Sequence, residues 1–265
     1  MVADSPGDPS SLFSVEGKSV LVTGGSRGIG EMIARGFLDA GATVTITARK
    51  ADACRQAAEA LSEHGPCSAV PADLATSEGV EKVAAALAER GPRLDILVNN
   101  AGATWGADLE QYPPSAWDKV LDVNVKAVFA LTVALLPLLR AAATPDDPAR
   151  VVNVGSIDGI KTPAMESYAY SASKAAVHML TRHLAMRLAR ESITVNAIAP
   201  GPFDSKMMAF ALDDPAARAA IAKSVPLGRI GAPDDVAGAA RFLCSRAGAY
   251  LTGVVLPVDG GVSAR

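Results

Sequence analysis

Tyr170 and Lys174 stand four residues apart in the run Ser167-Tyr168-Ala169-Tyr170-Ser171-Ala172-Ser173-Lys174. On a helix, positions i and i+4 share a face, so the lysine ammonium can approach the phenol. A free tyrosine titrates at ~10, and bringing it to about 7 requires roughly 4 kcal/mol of preference for the phenolate. One cation at ~4 Å supplies about that much at an intermediate effective dielectric. Such a pair can pass a proton to or from a carbonyl or alcohol oxygen. Far upstream, Thr23-Gly24-Gly25-Ser26-Arg27-Gly28-Ile29-Gly30 forms a glycine-rich stretch suited to a dinucleotide, which couples the proton to hydride transfer.

These side chains need a scaffold, and apolar runs alternate with helical patterns along the chain. Strands are expected at residues 19–22, 43–47, 67–70, 94–98, 151–154, 194–198 and 254–257. Helices are expected up to residue 40, over 52–63, 77–90, 115–140 and 168–190, with two more before the last strand. Continuous apolar strands separated by helices imply a parallel sheet covered on both faces, a doubly wound α/β single-domain Rossmann fold. Residues 1–14, rich in Ser, Pro and Asp, read as a flexible lead-in, and 142–149 as a surface loop.

Composition narrows the function. The 265 residues carry a formal net charge of −3, with 49% hydrophobic and 20% charged residues, so a soluble globular domain without general attraction to nucleic acid or anionic membrane is expected. Cys54, Cys67 and Cys244 are odd in number and widely spaced, which argues against a disulfide framework and a zinc site. His64, His178 and His183 form no ligand pattern, so no metal is expected, and a reducing cytoplasm fits the cysteines. No secretory signal is visible at the N-terminus. The apolar run 131–139 is too short to span a bilayer and contains Pro137.

The first strand runs directly into Gly24-x-x-x-Gly28-x-Gly30 and then a helix, whose free N–H groups suit a pyrophosphate. An ordinary glycine-rich turn is the competing reading. After the second strand comes Thr47-Ala48-Arg49-Lys50, where an enzyme using NAD normally places a carboxylate. Arg49, with Arg27 from the turn, can instead bind a 2′-phosphate, which favours NADP(H). Two solvated surface arginines are the plainer alternative.

With these residues assembled, the chain resembles the short-chain dehydrogenase/reductase superfamily from about Gly17 to Gly261. Thr23 to Gly30 resembles the family's cofactor turn, which implies cofactor contacts at Gly24, Ser26, Arg27, Gly28, Ile29 and Gly30. Asn99-Asn100-Ala101-Gly102 resembles the element after the fourth strand, adding Asn100, Ala101 and Gly102. Asp73 resembles the acid that contacts adenine, with Leu74 beside it. Pro200-Gly201 resembles the turn beside the nicotinamide, and Asp259-Gly260-Gly261 the C-terminal signature. The resemblance implies an active site of Asn124, Ser156, Tyr170 and Lys174, with Tyr170 and Lys174 also contacting the cofactor, Lys174 at the nicotinamide ribose, and Asn124 holding a water that leads from the lysine towards solvent. Ser156 lies fourteen positions before Tyr170, one more than the commonest family spacing, which reads as a loop insertion. Taken singly, Ser156 could be a loop serine and Asn124 a buried amide capping its own element. More narrowly, residues 24–41, Trp105-Gly106-Ala107 and residues 146–159 resemble the NADPH-dependent 3-oxoacyl reductases of bacterial rhamnolipid synthesis.

The resemblance makes residues 202–225 a substrate lid. Phe203, Met207, Met208, Phe210 and Leu212 make it apolar, with Trp105 and Met165 adjoining, which suits an acyl chain or another hydrophobic carbonyl compound, although such residues also pack a lid against its core. Lys126, Arg182 and Arg187 are candidates for a basic surface toward a carrier protein. Apolar residues on more than one face of the helices at 115–140 and 168–190 fit pairing across subunits, a homotetramer with a dimer as the alternative. The expected activity is reduction of a carbonyl by NADPH. The alternatives are oxidation of a polyol, sugar acid or steroid, or an idle dinucleotide sensor.

Overall fold

The computed structural model describes residues 9–163, 165–204, 208 and 214–264. Seven strands form one parallel sheet in the order β3-β2-β1-β4-β5-β6-β7. They are β1 (Ser19–Thr23), β2 (Thr43–Thr47), β3 (Cys67–Ala69), β4 (Ile96–Asn99), β5 (Ala149–Val154), β6 (Ile193–Pro200) and β7 (Val255–Val258). β4, β5 and β6 are buried at every position, the signature of strands with helices on both faces.

Two apolar layers enclose the sheet. On one face α1 (Gly28–Leu38), α2 (Ala51–Leu61) and α8 (Pro233–Cys244) contribute Ile33, Phe37, Cys54, Val236 and Leu243. On the other, α3 (Ser77–Arg90), α5 (Ala127–Ala142) and α6 (Tyr168–Leu188) contribute Val83, Leu131, Leu135, Leu139 and Leu188. α4 (Pro114–Leu121) precedes α5, and α7 (Pro215–Ser224) follows β6.

The helix expected over 115–140 is more elaborate than its pattern. A five-residue π turn, Asp122–Lys126, joins α4 to α5, and Pro137 lies inside α5 without ending it. The resulting rod, Pro114–Ala142, is long and apolar enough to cross a bilayer by length and composition, which corrects the expectation drawn from residues 131–139 alone. Here it packs on the sheet, with Leu131, Leu135 and Leu139 fully buried. Of the expected flexible lead-in, Pro9–Phe13 form a 3₁₀ turn, and the Phe13 ring lies 6.4 Å from that of Phe242.

A buried polar ladder ties the sheet to both helices that carry site residues. Asn99 Nδ2 donates to Thr132 Oγ1 at 3.2 Å and to Asn153 Oδ1 at 2.9 Å. Asn153 Nδ2 in turn donates to Thr181 Oγ1 on α6 at 2.9 Å. Buried groups of this kind are costly when left unpaired. Asn153→Ala strands polar atoms on Asn99 and Thr181 and is expected to destabilise the protein by about 2 kcal/mol, read as a lowered midpoint in urea.

Candidate active site

The C-terminal ends of β1, β4, β5 and β6 carry, respectively, the glycine turn, Asn99-Asn100-Ala101-Gly102, Ser156 and Pro200-Gly201. β1 and β4 are neighbours at which the strand order reverses, the place where open α/β sheets bind their ligands.

The glycine turn is built for close approach. Gly24 has φ +66° and Gly28 φ +56°, conformations that side-chain-bearing residues rarely adopt. A Cβ on Gly30 would run into the Gly24 carbonyl and the Asn100 amide. The N-cap of α1, Arg27, makes no side-chain capping bond, so the leading amides of that helix are available to an anion. Thr23, which the sequence reading quoted without assigning a role, locks the cradle: its Oγ1 accepts from the amides of Asn100 and Ala101, both at 2.9 Å. Asn100 Nδ2 donates to the Thr23 carbonyl at 2.8 Å and the Gly24 carbonyl at 3.2 Å. Asn100 therefore braces the turn from beneath, beside half-buried Ala101 and exposed Gly102.

Ser26 and Ile29 lie half-buried in the same turn. Arg27 and Arg49 are exposed, and among the described residues neither has an ion-pair partner. Asp73 follows β3, half-buried, with Oδ1 accepting from the Ala75 amide at 3.1 Å, and Leu74 is buried beside it. Gly201 donates its amide to the Val258 carbonyl at 3.0 Å, and a Cβ there would press on Asp259. Asp259 is itself fixed by the amides of Gly261 (2.9 Å) and Ser263 (2.7 Å), so the C-terminal signature props the turn after Pro200. This cradle, a glycine surface with free amides and two unpaired guanidinium groups, fits a dinucleotide bearing a 2′-phosphate.

Tyr170 and Lys174 share one face of α6, and Ser156 closes the space at the end of β5. Lys174 is buried, its Nζ donates to the Val154 carbonyl at 2.7 Å, and it lies 5.5 Å from the centre of the Tyr170 ring. The expected acidification of the phenol is not what this arrangement produces. Burial pushes Tyr170 up to about 12, a hydrogen bond from Ser156 works the other way, and the Asp158 charge raises it further. Burial also brings Lys174 down to about 8, opposed by Asp158. The ammonium lies over the ring rather than at the hydroxyl, and the loss of solvent outweighs its field. The phenol is therefore fully protonated at neutral pH. A 3₁₀ turn, Ile157–Gly159, follows Ser156, which remains within hydrogen-bonding reach of Tyr170.

Asn124 belongs to the π turn, is buried, and is saturated by protein groups. Its Oδ1 accepts from the Ala103 amide at 2.8 Å, and its Nδ2 donates to the Ala103 carbonyl at 3.0 Å and to Ser173 Oγ at 2.9 Å. Ser173 Oγ donates in turn to the Tyr170 carbonyl at 2.6 Å. The Asn124 side chain thus clamps the loop after β4 to α6.

Two titratable residues that the sequence reading left without a role stand behind the pair. Asp158, two positions after Ser156, is raised by burial and held back by the Lys174 charge. His178, one helical turn beyond Lys174, is driven to about 4 by burial and by that same charge, so it is neutral. Its ring fills space beside Gly155 and Gly159, where a Cβ would collide with it, and its buried Nε2 has no partner among the described residues. The i+4 spacing from Lys174 was the signal for it, overlooked because the histidines were weighed only as metal ligands.

The substrate side is partly as expected. Trp105 and Met165 are exposed on adjoining loops, and Met208 is half-buried. Of the two alternatives for Phe203, packing against the core holds: it is 2% exposed and lies beneath Gly231. Met207, Phe210 and Leu212 lie outside the described residues. Of the three basic candidates, Lys126 pairs with Asp122 at 2.7 Å and Arg187 with Glu191 at 2.9 Å, while Arg182 has no ion pair among the described residues.

A family model described as enoyl-(acyl carrier protein) reductase matches residues 24–263. The chain is 53% identical over 249 residues to the rhamnolipids biosynthesis 3-oxoacyl-[acyl-carrier-protein] reductase of Pseudomonas aeruginosa, covering 94% of this chain and 97% of that one. It is 37% identical over 251 residues to 3beta-hydroxysteroid dehydrogenase 1 of Eggerthella lenta, covering 94% and 95%. Among solved structures, the Pseudomonas aeruginosa RhlG/NADP active-site complex superposes with a TM-score of 0.93 at 52% identity, over 96% of this chain and 99% of that one.

Proposed function

Because the chain belongs to the short-chain dehydrogenase/reductase family, we propose that it reduces a carbonyl to a hydroxyl with NADPH, and that its substrate is a 3-oxoacyl thioester or a similar hydrophobic ketone. The observation that carries this reading is the meeting of Tyr170, Ser156 and Lys174 beside a cradle with two unpaired arginines. The strong likeness to a 3-oxoacyl reductase supports the substrate class. The 37% identity to a steroid dehydrogenase favours a second reading, oxidation of a hydrophobic alcohol by the same residues run backwards.

On the reading preferred here, the amides of the Gly24–Gly30 turn hold the pyrophosphate, Arg27 and Arg49 the 2′-phosphate, and Asp73 with Leu74 the adenine. Asn100, Ala101, Gly102, Pro200 and Gly201 frame the nicotinamide half. NADPH bound there supplies hydride to the carbonyl carbon. Tyr170, protonated because burial keeps its pKa near 12, gives its proton to the carbonyl oxygen. Ser156 donates a hydrogen bond to that oxygen as negative charge develops on it. Lys174 stabilises the phenolate left behind, and Asn124 fixes the loop over Tyr170 against α6.

The proton-transfer role sets a direction in pH. Lys174 carries its proton below about 8 and loses it above. The phenolate that forms as Tyr170 acts then lacks its cation, while the phenol itself remains intact. Reduction is therefore expected to hold steady near neutrality and decline above pH about 8 in a kcat profile. Asp158→Asn removes the carboxylate that supports the ammonium, so the decline moves to lower pH.

Tyr170→Phe is expected to cut kcat by about a thousandfold while NADPH affinity, followed by nucleotide fluorescence, stays near normal. Near-normal turnover in that variant would refute the assignment. Arg27→Ala and Arg49→Ala are each expected to weaken NADPH about tenfold and leave NADH unaffected in the same titration. Equal losses for both nucleotides would remove the phosphate role.

The reading extends to assembly and place. Phe129 and Val133 on α5, with Met179 and Met186 on α6, leave apolar surface at 50%, 44%, 62% and 84% exposure. Such patches support pairing of these helices in a homotetramer working in the cytoplasm, where its free cysteines stay reduced. Sedimentation velocity on the soluble fraction is expected to show a four-chain species; a monomer at micromolar concentration would contradict it.

A further inference from the structure

Resting on the carbonyl reduction proposed above, we infer that Tyr112 is a positioning residue, its hydroxyl tying the substrate-side loop at Trp105 to the first turn of the helix that carries Tyr170 and Lys174. The hydroxyl uses both of its hydrogen-bonding roles. It donates to the Trp105 carbonyl at 3.2 Å and accepts from the Ala169 amide at 3.2 Å.

The helix needs this bond because its own cap fails. The first amides of any helix lack partners within it and require acceptors from outside. At the start of α6 the N-cap is Ser167, a residue type well suited to capping, yet its side chain makes no capping bond and its buried Oγ has no partner among the described residues. Tyr112, 57 positions upstream, supplies the acceptor instead. The cap of the catalytic helix is thus a tertiary contact.

Its ring is held as firmly as its hydroxyl. Tyr112 meets the ring of Tyr168 edge-on at 5.3 Å and that of Trp117 on α4 at 6.2 Å. The Trp105 ring carries Lys119 Nζ 4.7 Å above it, and the Ala107 amide donates to the Glu166 carbonyl at 3.3 Å. The loop after β4 is therefore clamped to α6 on both sides of Tyr170. Asn124 and Ser173 grip it at the Tyr170 carbonyl, and Tyr112 grips it at the Ala169 amide. A ketone seated against Trp105 presses on a loop whose movement is transmitted to the backbone of the proton donor. Tyr112 touches no reacting atom on this account, and acts through Tyr170.

Tyr112→Phe keeps the ring contacts and removes both hydrogen bonds. In the unaltered protein, the Ala169 amide is expected to exchange with deuterium more slowly than the Tyr170 amide beside it, despite its place in the first helical turn. In Tyr112→Phe that protection should fall about tenfold, and kcat toward a 3-oxoacyl thioester about tenfold per folded molecule, with NADPH affinity within about twofold of normal. Unchanged exchange and unchanged kcat would overturn the tether. So would a loss of activity matched by an equal loss of folded protein or of nucleotide sites, since either marks a purely structural role. A wild-type protein that turns over no ketone would remove the reductase reading, whereas the exchange measurement still decides whether Tyr112 holds the helix.

Discussion

Burial of a lysine against a backbone carbonyl is the interaction on which the site turns. Lys174 Nζ meets Val154 O at 2.7 Å with the side chain 5% exposed, so the ammonium has left water for a single strong acceptor and the face of an aromatic ring. That position is costly, and its signature is a pKa near 8. The same dry surroundings hold Tyr170 near 12. The two groups therefore reach neutral pH as a protonated acid beside a cation that is only moderately stable.

Everything around the pair restricts its movement. The Asn99–Asn153–Thr181 ladder joins α6 to the sheet from below, and Asn124 with Ser173 joins it to the loop after β4. The π turn at Asp122–Lys126 is the local irregularity that lets Asn124 be buried within an otherwise continuous rod. His178 fills the space beside Gly155 and Gly159 as a neutral ring, kept so by burial and by the Lys174 charge. A charged group there would face the ammonium across a dry gap. Polar groups with fixed partners form most of this scaffold, which suits a site whose acid must meet a carbonyl oxygen at one distance.

Some parts of this arrangement are legible in the chain and others are not, for definite reasons. The strand at 43–47 was legible because its run is entirely Thr, Val and Ile, and that at 151–154 because three valines flank a single Asn153. The glycine turn was legible because glycine adopts the positive φ of Gly24 and Gly28 far more readily than other residues. Tyr170 and Lys174 were legible because a helix brings i and i+4 together. For Phe203 two alternatives stayed open, because an apolar residue facing a substrate and one facing the core carry the same sequence signal, and contact with Gly231 decided it. The rod at 114–142 was underestimated because Pro137 looks like a helix breaker and is accommodated here.

What the chain determined by itself is therefore the alternation of strands and helices, the cradle, and the pairing of Tyr170 with Lys174, since each rests on local backbone geometry or on spacing within one element. What the tertiary structure alone decided is the electrostatic state of those groups and the means of holding them. The phenol is less acidic and the amine less basic than their proximity suggested, because solvent exclusion depends on every element packed around α6. The cap on that helix comes from Tyr112, 57 positions away from the amide it satisfies, rather than from the adjacent serine, because no local rule reveals which distant hydroxyl the fold will bring to a helix end.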